Sequence, residues 1–298
     1  MAPSFLANAN TVCVMDASGP LGFTLVQRLV QRGYTVHASL QRHQGKEEEV
    51  LNGICGDPEK LKIFRSDPFD YHTILHALQH CSALFYSFQP PQDHPDYDEY
   101  MADVEVRAAH NVLEACAQTA TIQKVVFTSS ATAVVWREDR NSSQLDLDER
   151  HWSDPNFCRK FKLWHAMSKT QAEKSAWALA MDRDVHMVSI NGGLLMGSDL
   201  SIKNPYLRGA VEMYEDGVLV TVDLDYLVDA HICVYEDISS YGRYLCFNHI
   251  VNNNDDILTL ANKLTLPSSL PQRYEQGKSF LQQKIRNDKL KKLMHGGV

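Results

Sequence analysis

The chain has 298 residues, 44% hydrophobic and 22% charged, the composition of an ordinary folded globule with one large domain or a domain plus a smaller lobe. Its 37 acidic residues outnumber 29 basic ones, and the formal charge of −8 argues against a nucleic-acid partner. The seven cysteines form no CxxC pair, no apolar run reaches membrane-spanning length, and MAPSFLANAN carries no basic or apolar signal region; reduced thiols in a cytoplasmic protein, with no metal site and no membrane contact, are expected.

Thr11 to Met15 is an apolar, β-prone run. The turn Asp16-Ala17-Ser18-Gly19-Pro20-Leu21-Gly22 follows, then a helical pattern with Leu25, Val26, Leu29 and Val30 on one face, stopped by Gly33. Strand, glycine turn and helix in that order open a dinucleotide-binding βαβ unit, where N–H groups at the helix start face a pyrophosphate. Asp16 stands where the first glycine of GxxGxxG is expected. Aspartate tolerates a left-handed backbone, but its charge opposes a phosphate. Its carboxylate either fills the anion site itself or turns outward and caps the turn.

Further strands are expected at 34–40, 61–66, 83–88, 124–129, 185–190 and 244–248, with helices over 71–80, 98–118 and 161–181. In the 98–118 helix Val104, Ala108, Val112 and Ala115 form one stripe. Residues 137–159 read as a polar, irregular loop, and the basic tail (Lys284, Arg286, Lys289, Lys291, Lys292) as a solvated helix face. The alternation predicts an α/β fold, a doubly wound parallel sheet with a small C-terminal substrate lobe. The expected domains are 8–190 with 221–248 for the dinucleotide-binding part, and 191–220 with 249–298 for the lobe.

Five phrases carry a resemblance: ASGPLG at 17–22, KVVFTSSATAVV at 124–135, WSDPNFC at 152–158, SKTQAEKSAWALA at 168–180 and GRYLC at 242–246. Together they make the chain similar to the plant cinnamoyl-CoA reductase and dihydroflavonol reductase family of extended short-chain dehydrogenases/reductases. That resemblance implies an NADPH- or NADH-dependent reductase of a phenylpropanoid-like carbonyl or CoA thioester. It implies a catalytic Ser, Tyr and Lys, the last four residues after the Tyr. Here these positions hold Ser130, His165 and Lys169. An i, i+4 pair shares a helix face, so His165 and Lys169 stay neighbours. Imidazole is a general acid with a pKa of roughly 6.5, although an adjacent ammonium disfavours imidazolium.

On the cofactor side the resemblance assigns Asp16, Ser18, Gly19, Leu21 and Gly22 to the phosphate turn, and Lys169 to the ribose. Gln41, with Arg42 next and Lys46 nearby, replaces the arginine that would meet a 2′-phosphate. Asp67 and Pro68 lie by the adenine, and Phe88 sits where a small residue approaches the cofactor, either as harmless core or in cofactor space. Gly192 and Leu195 lie by the nicotinamide. Cofactor binding is therefore expected to be weak or absent. Two readings follow: a carbonyl or acyl-CoA reductase with His165 as proton donor, or a non-catalytic descendant that binds a small molecule or a protein partner.

Overall fold

The computed structural model describes residues 10–41, 45–55, 57–90, 96–139, 146–198, 200–264 and 284–295. Arg42 and the side chain of Lys46 lie outside the described residues, as does most of 265–298. The chain runs β1 (Thr11–Met15), α1 (Pro20–Gln31), β2 (Thr35–Leu40), α2 (Gly45–Asn52), β3 (Leu61–Arg65), α3 (Tyr71–Leu78), β4 (Ala83–Tyr86), α4 (Glu99–Gln118) and β5 (Lys124–Ser130). It continues through α5 (Thr132–Val135), α6 (Pro155–Lys160), α7 (Trp164–Asp182), β6 (Met187–Gly192), β7 (Leu194–Leu195), α8 (Ala210–Glu215) and β8 (Val220–Val222). Last come α9 (Leu224–Glu236), β9 (Gly242–Cys246), β10 (His249–Ile250), α10 (Asn254–Leu264) and α11 (Asp288–His295).

Seven strands form one sheet in the order β3-β2-β1-β4-β5-β6-β9, with every pairing parallel. Helices α1, α9 and α11 cover one face, and α3, α4 and α7 the other. Burial on both faces explains why the central strands are almost wholly apolar. Alanines at 108, 115, 172, 176 and 180 keep the α4–α7 contact close. Asp70, Asp98 and Asp154 cap α3, α4 and α6 by accepting backbone N–H bonds. Strand order reverses between β1 and β4, so the C-terminal ends of those strands flank the crevice where such sheets bind ligands. A second sheet, β10-β8-β7, and a third apolar cluster around Trp136, Tyr206, Met213 and Phe247 build the part of the molecule above that edge.

Three expectations need correction. The 137–159 stretch is not loop throughout, because Asp154 and Pro155 start α6. Lys162, at φ +55, separates α6 from α7, so the long helix begins at Trp164 rather than Phe161. The basic tail is not a purely solvated face. Leu290 is fully buried, and the Lys289 ammonium donates to the Tyr241 and Arg243 carbonyls and lies 4.0 Å from the Tyr244 ring centroid. The α9 helix, read from no pattern beforehand, is tied to β5 by Lys124. Its buried ammonium donates to the carbonyls of Val234 (3.0 Å), Tyr235 (3.2 Å) and Asp237 (2.7 Å) and to Ser240 Oγ (3.0 Å).

Candidate functional site

The glycine turn follows β1 at the crevice. Asp16 takes the left-handed backbone at φ +65 and is 1% exposed, so its carboxylate points inward. Oδ1 accepts the Ser18 hydroxyl at 2.5 Å, and Oδ2 lies 3.8 Å from where a Gly19 Cβ would stand. The two glycines have different duties. A Cβ on Gly22 would lie 2.0 Å from the Asp16 carbonyl oxygen, so Gly22 is what lets α1 start against the end of β1. A Cβ on Gly19 would lie 2.1 Å from Gln89 Nε2. The approach face of the turn, where backbone would meet a pyrophosphate, is thus covered by a side chain from the loop after β4. Leu21 packs half-buried against the core beneath.

Phe88, its neighbour, joins the core with Met15 and Tyr86 and is 7% exposed, so of the two alternatives the core one holds. The intruding residue is Gln89. Further out, Gln41 is half-buried, and its Nε2 is buried without a hydrogen-bond partner among the described residues. Asp67 is exposed and accepts the Phe69 N–H at 2.9 Å, while Pro68 is buried. Gly192 ends β6 opposite Ser130, and Leu195 is half-buried in β7.

Ser130 and His165 are brought together through a residue between them. Ser130 Oγ lies 3.0 Å from Thr132 Oγ1, which lies 3.2 Å from His165 Nδ1. When Thr132 donates to Ser130, His165 Nδ1 must donate to Thr132, which leaves Nε2 as a lone pair; only with both hydroxyls reversed does Nε2 carry a proton. Burial, and then the Lys169 charge, hold the His165 pKa well below its ordinary value, so the ring is neutral at pH 7.

Lys169 is engaged elsewhere. Its Nζ donates to Glu105 Oε1 on α4 at 2.6 Å, and the Ser168 hydroxyl donates to the other oxygen. Tyr97 also hydrogen-bonds Glu105, and its ring meets the His165 ring edge-on at 4.9 Å. The lysine side chain is 11% exposed and the glutamate 2%. Desolvating two charges is costly, and it is offset here by their mutual bond and the added hydroxyl and phenol donors. Glu105, Tyr97, Thr132 and Gln89 escaped the sequence reading. Glu105 left one signal: an acid beside Val104 and Ala108 on an otherwise apolar stripe of α4.

His165 and Tyr97 also face a cavity of about 1040 Å³, walled by Trp136, Phe157, Trp164 and Leu207 and bordered by Lys203 and Arg208. Aromatic walls with a few polar groups suit a small organic ligand.

The model of the 3-beta hydroxysteroid dehydrogenase/isomerase family matches residues 13–186. The chain belongs to that family. It is similar to cinnamoyl-CoA reductase 1 of Petunia hybrida, 33% identical over 263 residues that cover 85% of this chain and 77% of the relative. Vestitone reductase from alfalfa (Medicago sativa) superposes with a TM-score of 0.64 at 26% identity, covering 81% of this chain and 77% of that one. The yeast methylglyoxal/isovaleraldehyde reductase Gre2, solved with NADPH, shares the fold at a TM-score of 0.72 and 20% identity, over 95% and 92% of the two chains. These relatives are reductases by name, and the small molecules cinnamoyl-CoA and vestitone appear among the names of their substrates.

Three contacts lie on the surface to which the resemblance assigns a dinucleotide. Gln89 covers Gly19, the Asp16 carboxylate adjoins the same turn, and Lys169 is bonded to an internal carboxylate. Among the described residues no group of three or more His, Cys, Asp or Glu side chains is placed to hold a metal ion.

Proposed function

We propose that this chain is a reductase-family descendant that binds a small molecule without reducing it. The ligand is a phenylpropanoid-like carbonyl or CoA thioester, held in the aromatic cavity above His165. The observation that carries this reading is the Gln89 amide 2.1 Å from the Gly19 Cβ position, on the surface a pyrophosphate needs. Without a bound dinucleotide no hydride is delivered, yet the cavity keeps its aromatic walls, a border of mixed charge (Lys162, Lys203 and Arg208 with Asp96 and Glu212) and a neutral imidazole able to hydrogen-bond a hydroxyl, or a carbonyl when Nε2 carries the proton. The crevice part, residues 8–190 with 221–248, serves as scaffold, and 191–220 with 249–298 as the ligand-holding lobe.

One observation favours the reductase reading. Ser130 and Thr132 link through hydrogen bonds to His165, which lines the cavity, with Nε2–H in one of the two senses of that chain. Titration of the wild type with cinnamoyl-CoA, with and without NADPH, separates the readings. Binding with no consumption of NADPH is expected. Steady reduction of cinnamoyl-CoA by the wild type would sink the ligand-binding proposal.

A further inference from the structure

Three side chains that face the crevice between β1 and β4 are held by contacts inside the chain. Asp16 Oδ1 holds Ser18, and Gln89 lies on Gly19. Across the crevice Glu105 receives the Lys169 ammonium, the Ser168 hydroxyl and the Tyr97 phenol. The two closures come from different elements: the loop after β4, and the second turn of α4. The Lys169 ammonium spends one of its three hydrogens on Glu105, and that bond anchors its head toward α4. Nor is the arrangement one of raw unpaired charge, as an abandoned site would leave.

We infer that this crevice is self-liganded: Gln89 and Glu105 close it from within, so that the cavity above His165 takes its ligand independently of any nicotinamide dinucleotide. The inference deepens the ligand-binding reading and rests on it only in taking the crevice as idle. Its physical content is an absence of linkage. In a reductase whose dinucleotide and substrate share one crevice, the two ligands couple, and each changes the apparent affinity of the other. Here the surfaces that would carry the coupling are occupied by the protein. The two closures differ in reversibility. Gln89 touches Gly19 with the far end of a flexible side chain and can be removed at little structural cost, whereas Glu105 is buried against Lys169.

Calorimetry and thermal shift with NADPH and with NADH provide the test, using the full chain. The wild type should give no binding heat and no change in Tm with either dinucleotide. The Asp16→Gly/Gln89→Ala double variant, which leaves Glu105 in place, should gain at least tenfold in NADPH affinity and show a dinucleotide-dependent rise in Tm. Adding Glu105→Ala should increase the gain, and Glu105→Gln replaces it if the alanine variant does not fold. Low-micromolar binding of either dinucleotide to the wild type overturns the inference. A folded double variant, by circular dichroism, with no gain in affinity overturns it too; should the double not fold, the Gln89→Ala single must show the gain or the inference fails. Failure of cinnamoyl-CoA to bind the cavity would instead sink the ligand-binding reading and leave the dinucleotide result intact.

Discussion

The two halves of the sheet's C-terminal edge have gone separate ways. At the glycine turn the backbone frame is tight, with Gly22 close against Asp16 and α1 starting at the strand end, and the end of the Gln89 side chain stands over Gly19. At the other half of the edge lies a cavity of about 1040 Å³, with aromatic walls and His165 among its lining. Frame and occupancy are therefore separable properties. Positions where backbone meets backbone hold the fold, and positions where backbone would meet a ligand are free to change.

The strongest way to break this contrast is to unpair the buried ion pair. Glu105→Ala leaves the Lys169 ammonium uncompensated and should lower unfolding free energy by about 3–5 kcal/mol in urea titrations. Lys203→Ala on the cavity border should change it by less than about 0.5 kcal/mol. Equal losses would mean that the two halves are not differently built.

Acid should act next. His231 is fully buried between the Leu227 carbonyl, which accepts from Nδ1, and the Thr128 hydroxyl at Nε2, and burial lowers its pKa to about 4. The unfolded chain binds this proton from about pH 6.5 downward and the folded chain does not, so stability falls as pH drops from 6.5 toward 4. The loss from His231 alone is about 3 kcal/mol over that window. His165 adds in the same direction, its folded pKa being lowered as well. Glu173 does so at lower pH, because burial pushes its carboxyl up but Arg243 and the Ser189 and Ser129 hydroxyls together outweigh it and hold it below the usual range. Urea midpoints at pH 7 and pH 5 would reveal a flat profile if these rings were accessible to solvent.

The glycines offer a sharper pair. Gly22→Ala forces a Cβ against backbone and should cost about 1–3 kcal/mol. Gly19→Ala meets only the end of Gln89 and should cost less than about 1 kcal/mol. Reversed magnitudes in thermal melts would show that Gly19, too, belongs to the frame. The smallest effect is expected from His165→Tyr, which restores a phenol beside Lys169. Turnover of cinnamoyl-CoA with NADPH should stay at background, and a rise of 10²-fold would locate the lesion in the triad instead.

What was legible beforehand follows the same division. The seven strands, the glycine turn and the Ser130, His165 and Lys169 positions came from periodicity and motif, because those patterns are written locally. Asp16 was visible as an anomaly, but its inward direction was not. The engagement of Lys169 depends on α4 and α7 packing side by side, 64 positions apart at the Glu105 contact. Gln89 lies beyond a strand whose partner, β1, is far away in sequence. Phe88 drew suspicion by its size, yet its neighbour does the covering. Long-range pairings of this kind leave only faint marks, such as one acid in an apolar stripe.

Lys124 turns the attachment of α9 into something that can be timed. Its amine faces four acceptors with three hydrogens, while Lys62 on β3 stands open to solvent. An acylating reagent can reach Lys124 only while the end of α9 is lifted from the sheet. The ratio of the two labelling rates, followed by mass spectrometry, then reports how often that corner opens in the native protein, without unfolding the rest.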